Sequence, residues 1–315
     1  MDYSQILSQQ FNIKEEYAKN IITLLDDGNT IPFIARYRKE MHGSMDDQLI
    51  REFAEKLEYL RGLDKRRDEI RSLIDAQEKL TDEINLALDK AATLSELEDI
   101  YRPYRPKRKT RASIAKEKGL EPLANDILKQ EKGFDPSKSA VDYIDEEKGV
   151  TSVEDAIQGA MDIIAELVSD NAEIRKRIRN LTNANGVLVS VATDEEKDSV
   201  YKNYYDYKEP VKKIAGHRVL AVNRGEKEGF LKVSVETDSE KPLNSIFRAM
   251  ITDKNQLCSD IIREACTDAY QRLIYPSIER EVRNNLTDVA AENAMKVFAV
   301  NLKQLLMQPP VKGKT

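Results

Sequence analysis

The chain has 315 residues, 40% hydrophobic and 34% charged, with 50 basic against 56 acidic side chains and a formal charge of -6. No window approaches the length of apolar run that a membrane helix needs, and MDYSQILSQQF lacks the basic and apolar regions of a secretory signal, so a cytoplasmic protein with no membrane partner is expected. Cys258, Cys266, His42 and His217 lack metal-ligand spacing, so neither a metal nor another cofactor is expected.

Helical periodicity dominates from the start. Ile21, Leu24 and Leu25 share one stripe of a short helix that stops at Asp26-Asp27-Gly28-Asn29, where glycine can take the left-handed closing conformation. In Ile31–Glu40 (IPFIARYRKE), Ile31, Phe33, Ile34 and Tyr37 are expected to anchor while Arg36, Arg38 and Lys39 project outwards. Ser44 with Asp47 predicts the N-cap of a long helix carrying Leu49, Ile50, Phe53, Leu57, Leu60, Leu63, Ile70, Leu73 and Ile74. Lys65, Arg66 and Arg67, matched by Asp64, Asp68 and Glu69, read as a solvated face. A helix over 82–92 follows, and Thr93 with Glu96 predicts a capping box for another that ends before Tyr101.

Tyr101–Arg111 (YRPYRPKRKTR) concentrates Arg102, Arg105, Lys107, Arg108, Lys109 and Arg111 in an otherwise acidic chain. Pro103 and Pro106 should push their preceding arginines towards polyproline II geometry. Arg102, Arg105 and Arg108 would then share one edge about 9 Å apart, with Tyr101 and Tyr104 on another. Such a row could contact a nucleic-acid backbone. It could equally be a structural arm whose arginines pair with the chain's own carboxylates.

Thr151 with Glu154 predicts the cap of a helix through Val168. Its expected successor, 171–181, turns Ile174, Ile178 and Leu181 inwards and Arg175, Lys176, Arg177 and Arg179 outwards. Gly186–Val191 and Phe230–Val235 are the strand candidates. Helix resumes near Leu243; Pro276 should start a new helix, 277–308, rather than continue the previous one. Gln308–Thr315 reads as an abrupt end. The fold class is thus mainly α, a multi-helix array with long amphipathic helices and one or two short strands around 187–191 and 230–235. We divide it into regions 1–200 and 201–315.

Several segments together resemble the N-terminal part of the bacterial Tex family of transcription accessory proteins. They are Ile31–Glu40, Leu97–Ala124 (LEDIYRPYRPKRKTRASIAKEKGLEPLA), Gly159–Asp170 (GAMDIIAELVSD), His217–Gly229 (HRVLAVNRGEKEG), Leu273–Arg283 (LIYPSIEREVR) and Phe298–Gly313 (FAVNLKQLLMQPPVKG), in the family's order. The resemblance implies a helical region with a helix-turn-helix element. It also implies that a YqgF-like domain, helix-hairpin-helix motifs and an S1 domain lie beyond this fragment, with most nucleic-acid binding in the S1 domain.

No phosphate-binding loop, dinucleotide fingerprint, HExxH helix or nucleophile motif is present, so no enzyme is expected. Glu195-Glu196 reads as a solvated loop. His217-Arg218 fits either a phosphate contact or a brace between helices and the Phe230 strand. Glu279, Arg280, Glu281 and Arg283 read as a local ion-pair cluster at a helix start. The leading expectation is a module that touches RNA or DNA weakly, independently of sequence, through Arg36, Arg38, Lys39 and the arm. The rival is a helical scaffold that positions downstream domains and docks a protein of the transcription machinery.

Overall fold

Short polar side chains set most helix starts in this chain. The computed structural model describes residues 2–252, 254–308 and 313, and the chain separates into two compact units, Met1–Arg105 and Pro106–Thr315. In the first unit the Asp2 carboxylate accepts from the Ser4 and Gln5 amides and starts α1 (Tyr3–Phe11). Next comes α2 (Glu15–Asp26), closed by Gly28 at φ +79°, whose N–H donates to the Leu25 carbonyl at 3.0 Å. Then α3 (Ile31–Tyr37) and α4 (Lys39–His42) lead to α5 (Asp47–Asp75). The N-cap of α5 is Asp46, not Ser44: Asp46 accepts from the Leu49 amide at 2.8 Å, while Ser44 sits in the preceding turn at φ +63°. Thr81 and Thr93 cap α6 (Asp82–Lys90) and α7 (Leu94–Tyr101).

α5 is about 44 Å long and serves two separate cores. Its first half packs Ile50, Phe53 and Leu57 against Leu7, Ile21 and Ile34. Its second half packs Leu63, Ile70 and Ile74 against Leu88, Leu97 and Tyr101. Leu73, counted on the apolar stripe, is 43% exposed.

The solvated-face reading of Lys65–Arg67 fails at Arg67, which is buried. Its Nε donates to the Leu88 carbonyl at 2.9 Å and its Nη2 to the Ala91 carbonyl at 3.0 Å. Nη1 pairs with Asp64. The guanidinium thus adds donors to carbonyls at the C-terminal end of α6, where Leu88 otherwise receives only a 3.3 Å bond from the Ala91 amide. One planar fork can serve all of these acceptors at once, as an ammonium cannot.

In the second unit, Thr110 and Ser113 form a reciprocal capping box at α8 (Arg111–Glu117). It is followed by α9 (Glu121–Lys129), α10 (Pro136–Ala140) and α11 (Val153–Asp170). The cap of α11 lies one residue later than expected: Ser152 accepts from the Asp155 amide at 3.1 Å, and Asp155 accepts from the Thr151 amide at 3.1 Å. After α12 (Ala172–Asn185) come β1 (Val187–Ala192), β2 (Asp206–Pro210), α13 (Gly216–Lys227) and β3 (Leu231–Glu236). Last are α14 (Glu240–Met250), α15 (Gln256–Asp268) and α16 (Tyr275–Leu306). Leu123, Ile127, Ile163, Ile164, Ile262 and Ile274 lie in the main core. Cys258 and Cys266 are free and buried within it, and burial pushes the Cys266 thiol up to about 12, so it is a core thiol at neutral pH.

Pro276 does not open a separate helix. α15 passes through a π-helical turn, Ala269–Ile274, directly into α16, the Tyr275 amide reaching back to the Tyr270 carbonyl. Proline removes one helical donor, and the wider turn takes up the mismatch without breaking the rod. The expected stop at Gln308–Thr315 falls, apart from Gln308 and Gly313, outside the described residues.

The strands form one antiparallel sheet in the order β2-β1-β3. β1 and β3 match the two expected strands. β2 was not expected, because DYKEP has no β-branched residue and ends in proline. Its place at the sheet margin tolerates both. The outer margin of β3 is covered by side chains. Arg283 donates to the Val233 carbonyl at 2.9 Å and the Tyr275 hydroxyl to the Val235 carbonyl at 2.8 Å. Glu226 accepts from the Val233 amide at 3.3 Å and Glu279 from the Val235 amide at 3.2 Å. The 279–283 charges are therefore not a local cluster. Glu281 pairs with Arg179 at 2.7 Å, and Arg283 pairs with Glu226.

Candidate nucleic-acid interface

The α3–α4 corner begins with Pro32, whose missing N–H costs nothing in the first turn of a helix. Ile34 and His42 are both fully buried, and His42 Nε2 donates to the Ile34 carbonyl at 3.0 Å. Asn20 donates to the Met41 carbonyl at 3.0 Å. These inward contacts fix the corner, and Arg36, Arg38 and Lys39 are exposed on its outside. No ion pair among the described residues includes any of the three. Tyr37 is not an anchor, being 64% exposed. Its ring packs on Phe33 with centroids 5.4 Å apart, and the Arg38 guanidinium lies 5.3 Å from the Phe33 centroid. Cations beside aromatic faces are the surface type that meets backbone phosphates and stacked bases.

The basic arm is built differently. Arg102 has φ -52° and ψ -44°, so α7 runs on into a tight helical turn, Arg102–Tyr104, and only Arg105 (φ -67°, ψ 133°) is extended. The expected straight edge of Arg102, Arg105 and Arg108 does not form. Tyr101 is buried in the second core of the first unit, with Tyr104 packed against that core, and the Arg105 amide donates to the Tyr101 carbonyl at 3.1 Å. Packing and this hydrogen bond outweigh the pre-proline preference. Arg105 pairs with Glu98, which also accepts from Arg66 at 2.7 Å. Both guanidiniums lie 5.7 Å from the Tyr101 ring centroid.

The boundary between the units falls at Arg105/Pro106, inside the arm. Beyond it, Lys107 pairs with Glu166 at 3.4 Å and with Asp170. Thr110 donates to Glu166 at 3.1 Å, and Lys109 lies 3.5 Å from Glu117. Arg108 and Arg111 are exposed and enter no ion pair among the described residues. Arg111 instead sits in the field of Asp162, a half-buried carboxyl also 3.7 Å from Arg272.

Burial raises the Asp162 pKa, opposed by Arg272 and then Arg111. A carboxyl whose folded pKa lies above its unfolded value opposes folding as pH rises from the unfolded to the folded value, and fully above both. Asp162→Asn is expected to remove that loss. The ratio of stability at neutral pH to that near pH 4 should be higher in the variant, as urea unfolding at the two pH values would read; an unchanged ratio would contradict the assignment.

Two further readings change. Arg175 does not face outwards: it is buried and donates to Ser277 at 2.9 Å. With Arg179–Glu281 it makes two rungs between α12 and α16, one helical turn apart. Arg218 braces β2 rather than β3, its Nη1 lying 3.0 Å from both Glu209 oxygens and 3.2 Å from the Tyr207 hydroxyl. Among the described residues there is no cluster of three or more His, Cys, Asp or Glu that could hold a metal ion. Likewise, no described helix is long and apolar enough to cross a membrane. Sequence reasoning missed Arg67 and Arg175 because flanking charges mask a buried arginine; only their places at the edge of an apolar stripe hinted at it.

Two family models match the chain: "Tex-like protein N-terminal domain" over residues 1–75 and "Tex central region-like" over residues 131–298. The chain belongs to the Tex-like family. Among Tex-like relatives, the protein YdcI of Bacillus subtilis is 44% identical over all of this chain and 45% of its own length. "Transcriptional accessory protein Tex" of Neisseria gonorrhoeae is 36% identical over 98% of this chain and 42% of its own length. "S1 RNA-binding domain-containing protein 1" of Homo sapiens is 31% identical over all of this chain and 33% of its own length. The chain therefore spans less than half the length of these Tex-like relatives.

Proposed function

We propose that this chain is a cytoplasmic, non-catalytic module of a Tex-like transcription accessory protein that touches RNA or DNA through weak, sequence-independent phosphate contacts. The observation that carries the reading is the α3–α4 corner. There Arg36, Arg38 and Lys39 enter no ion pair among the described residues, and Arg38 lies beside the Phe33 ring, on which the exposed Tyr37 ring packs. The printed names of the relatives, a transcriptional accessory protein and an S1 RNA-binding domain-containing protein, support the ligand class. The helix-turn-helix role is assigned to the α2–α3 region within this proposal.

A second reading, a helical scaffold that docks a protein of the transcription machinery, is favoured by the arm. Arg105, Lys107 and Lys109 are held by the chain's own acids. Titrating the chain with labelled oligonucleotides at several salt concentrations separates the two. Contact with three phosphates predicts a log–log salt slope of about -2 to -3, an affinity loss of about 16- to 64-fold between about 50 and 200 mM salt. A flat response, or no binding at low salt, leaves the scaffold.

A further inference from the structure

On the side of α12 away from the Arg175 and Arg179 rungs, Arg177 and Leu181 face Lys241, Asn244, Ser245 and Arg248 of α14 across a groove of about 440 Å³. The α14 residues recur at i, i+3, i+4 and i+7 and so form one stripe. Lys241 and Arg248 are separated by about 10 Å along the axis. Each polar lining residue offers hydrogen-bond donors, and none is an acid.

Arg177, Lys241 and Arg248 are exposed and enter no ion pair among the described residues. Other arginines of this unit, Arg179, Arg218, Arg272 and Arg283, are each held by a carboxylate. Cations left unneutralised around one groove of a net-acidic chain fit a polyanion. Leu181 is the single apolar lining residue, too little for an amphipathic helix, which needs several apolar anchors. No aromatic ring lines the groove, so it has no platform on which bases of a single strand could stack.

We propose that the α12–α14 groove binds the phosphodiester backbone of a nucleic-acid duplex without reading its sequence. Arg177 and Arg248 grip phosphate oxygens with their guanidinium forks, and Lys241, Asn244 and Ser245 add donors between them. The assignment stands on this groove alone and is independent of the contacts proposed at the α3–α4 corner.

The test is fluorescence anisotropy on the whole chain with a labelled duplex of about 20 base pairs, from about 50 to 200 mM salt. For the variant carrying Arg177→Glu, Lys241→Glu and Arg248→Glu, affinity at the lowest salt should fall at least about tenfold, and the salt slope should become shallower by about 2 to 3. The matching glutamine variant should lose less, and circular dichroism should show unaltered helix content in both. The corner variant Arg36→Glu, Arg38→Glu, Lys39→Glu is run in parallel, so that loss from either site is scored separately. Unchanged affinity and slope in the groove variant would overturn the proposal. So would displacement of the duplex by poly-glutamate more readily than by unlabelled duplex, which would mark the groove as a site for an acidic protein. Failure of the unaltered chain to bind duplex at the lowest salt would also overturn it.

Discussion

Replacing Arg67 by alanine is expected to destabilise the first unit by about 2–4 kcal/mol, since two carbonyls each lose a buried donor at a cost of about 1–3 kcal/mol. The substitution strips donors from the Leu88 and Ala91 carbonyls and the cation from Asp64. Both carbonyls lie where α6 ends, and their only other backbone donor among the described residues is the Ala91 amide, 3.3 Å from the Leu88 carbonyl. It also removes the side-chain stem from the second core, between Leu63 and Ile70 on the same helix. Arg67→Lys should recover little, because one ammonium cannot reach acceptors that a planar fork serves together. Urea unfolding gives the measurement. Lys65→Ala, at an exposed neighbouring position, is the control and should change stability by no more than about 0.5 kcal/mol. A loss at Arg67 below about 1 kcal/mol would mean that water satisfies those carbonyls as well as the guanidinium does.

Charge reversal at the corner and in the arm should have opposite signatures. Arg36→Glu, Arg38→Glu and Lys39→Glu together should weaken oligonucleotide binding at least about tenfold and flatten the salt slope by about 2 to 3. Stability should barely move, since these side chains are exposed and enter no ion pair among the described residues. Arg105→Glu with Lys107→Glu should do the reverse. Each would place a new acid against carboxylates that now hold a cation, Glu98 for Arg105 and Glu166 with Asp170 for Lys107. Thermal unfolding should shift downwards while binding stays within about twofold, because cations already neutralised release few counterions from a phosphate chain. If the arm variant lost binding and kept its stability, the roles of the two segments would be exchanged.

Patterns that depend on near neighbours were legible in the sequence. The apolar stripe of α5, the glycine stop after α2, the Thr93 cap and strands β1 and β3 all follow from spacing within a turn or a pleat. The departures share a cause: a distant partner. Arg67 and Arg175 are buried because α6 and α16 bring acceptors to them, which the flanking charges do not announce. β2 exists because β1 offers it a ladder. Pro276 is carried through a continuous rod because packing on both sides holds α15 and α16 in line. The candidate site was legible as a set of cations but not as a set of free ones. Arg36 and Arg105 look alike in sequence; only the fold shows that Glu98 lies beside the second.

The covered margin of β3 has a consequence for how this unit can meet other molecules. A bare sheet margin is a template on which a foreign strand can add, whether from a partner, a second copy or an aggregate. Here Arg283, Tyr275, Glu226 and Glu279 already occupy the outward-pointing backbone groups of Val233 and Val235. The opposite margin, β2, is short, carries Asp206, Lys208 and Glu209, and ends at Pro210, which has no N–H to give. Neither side invites another strand, so the sheet is closed to growth. Whatever engages this unit must come to its helices.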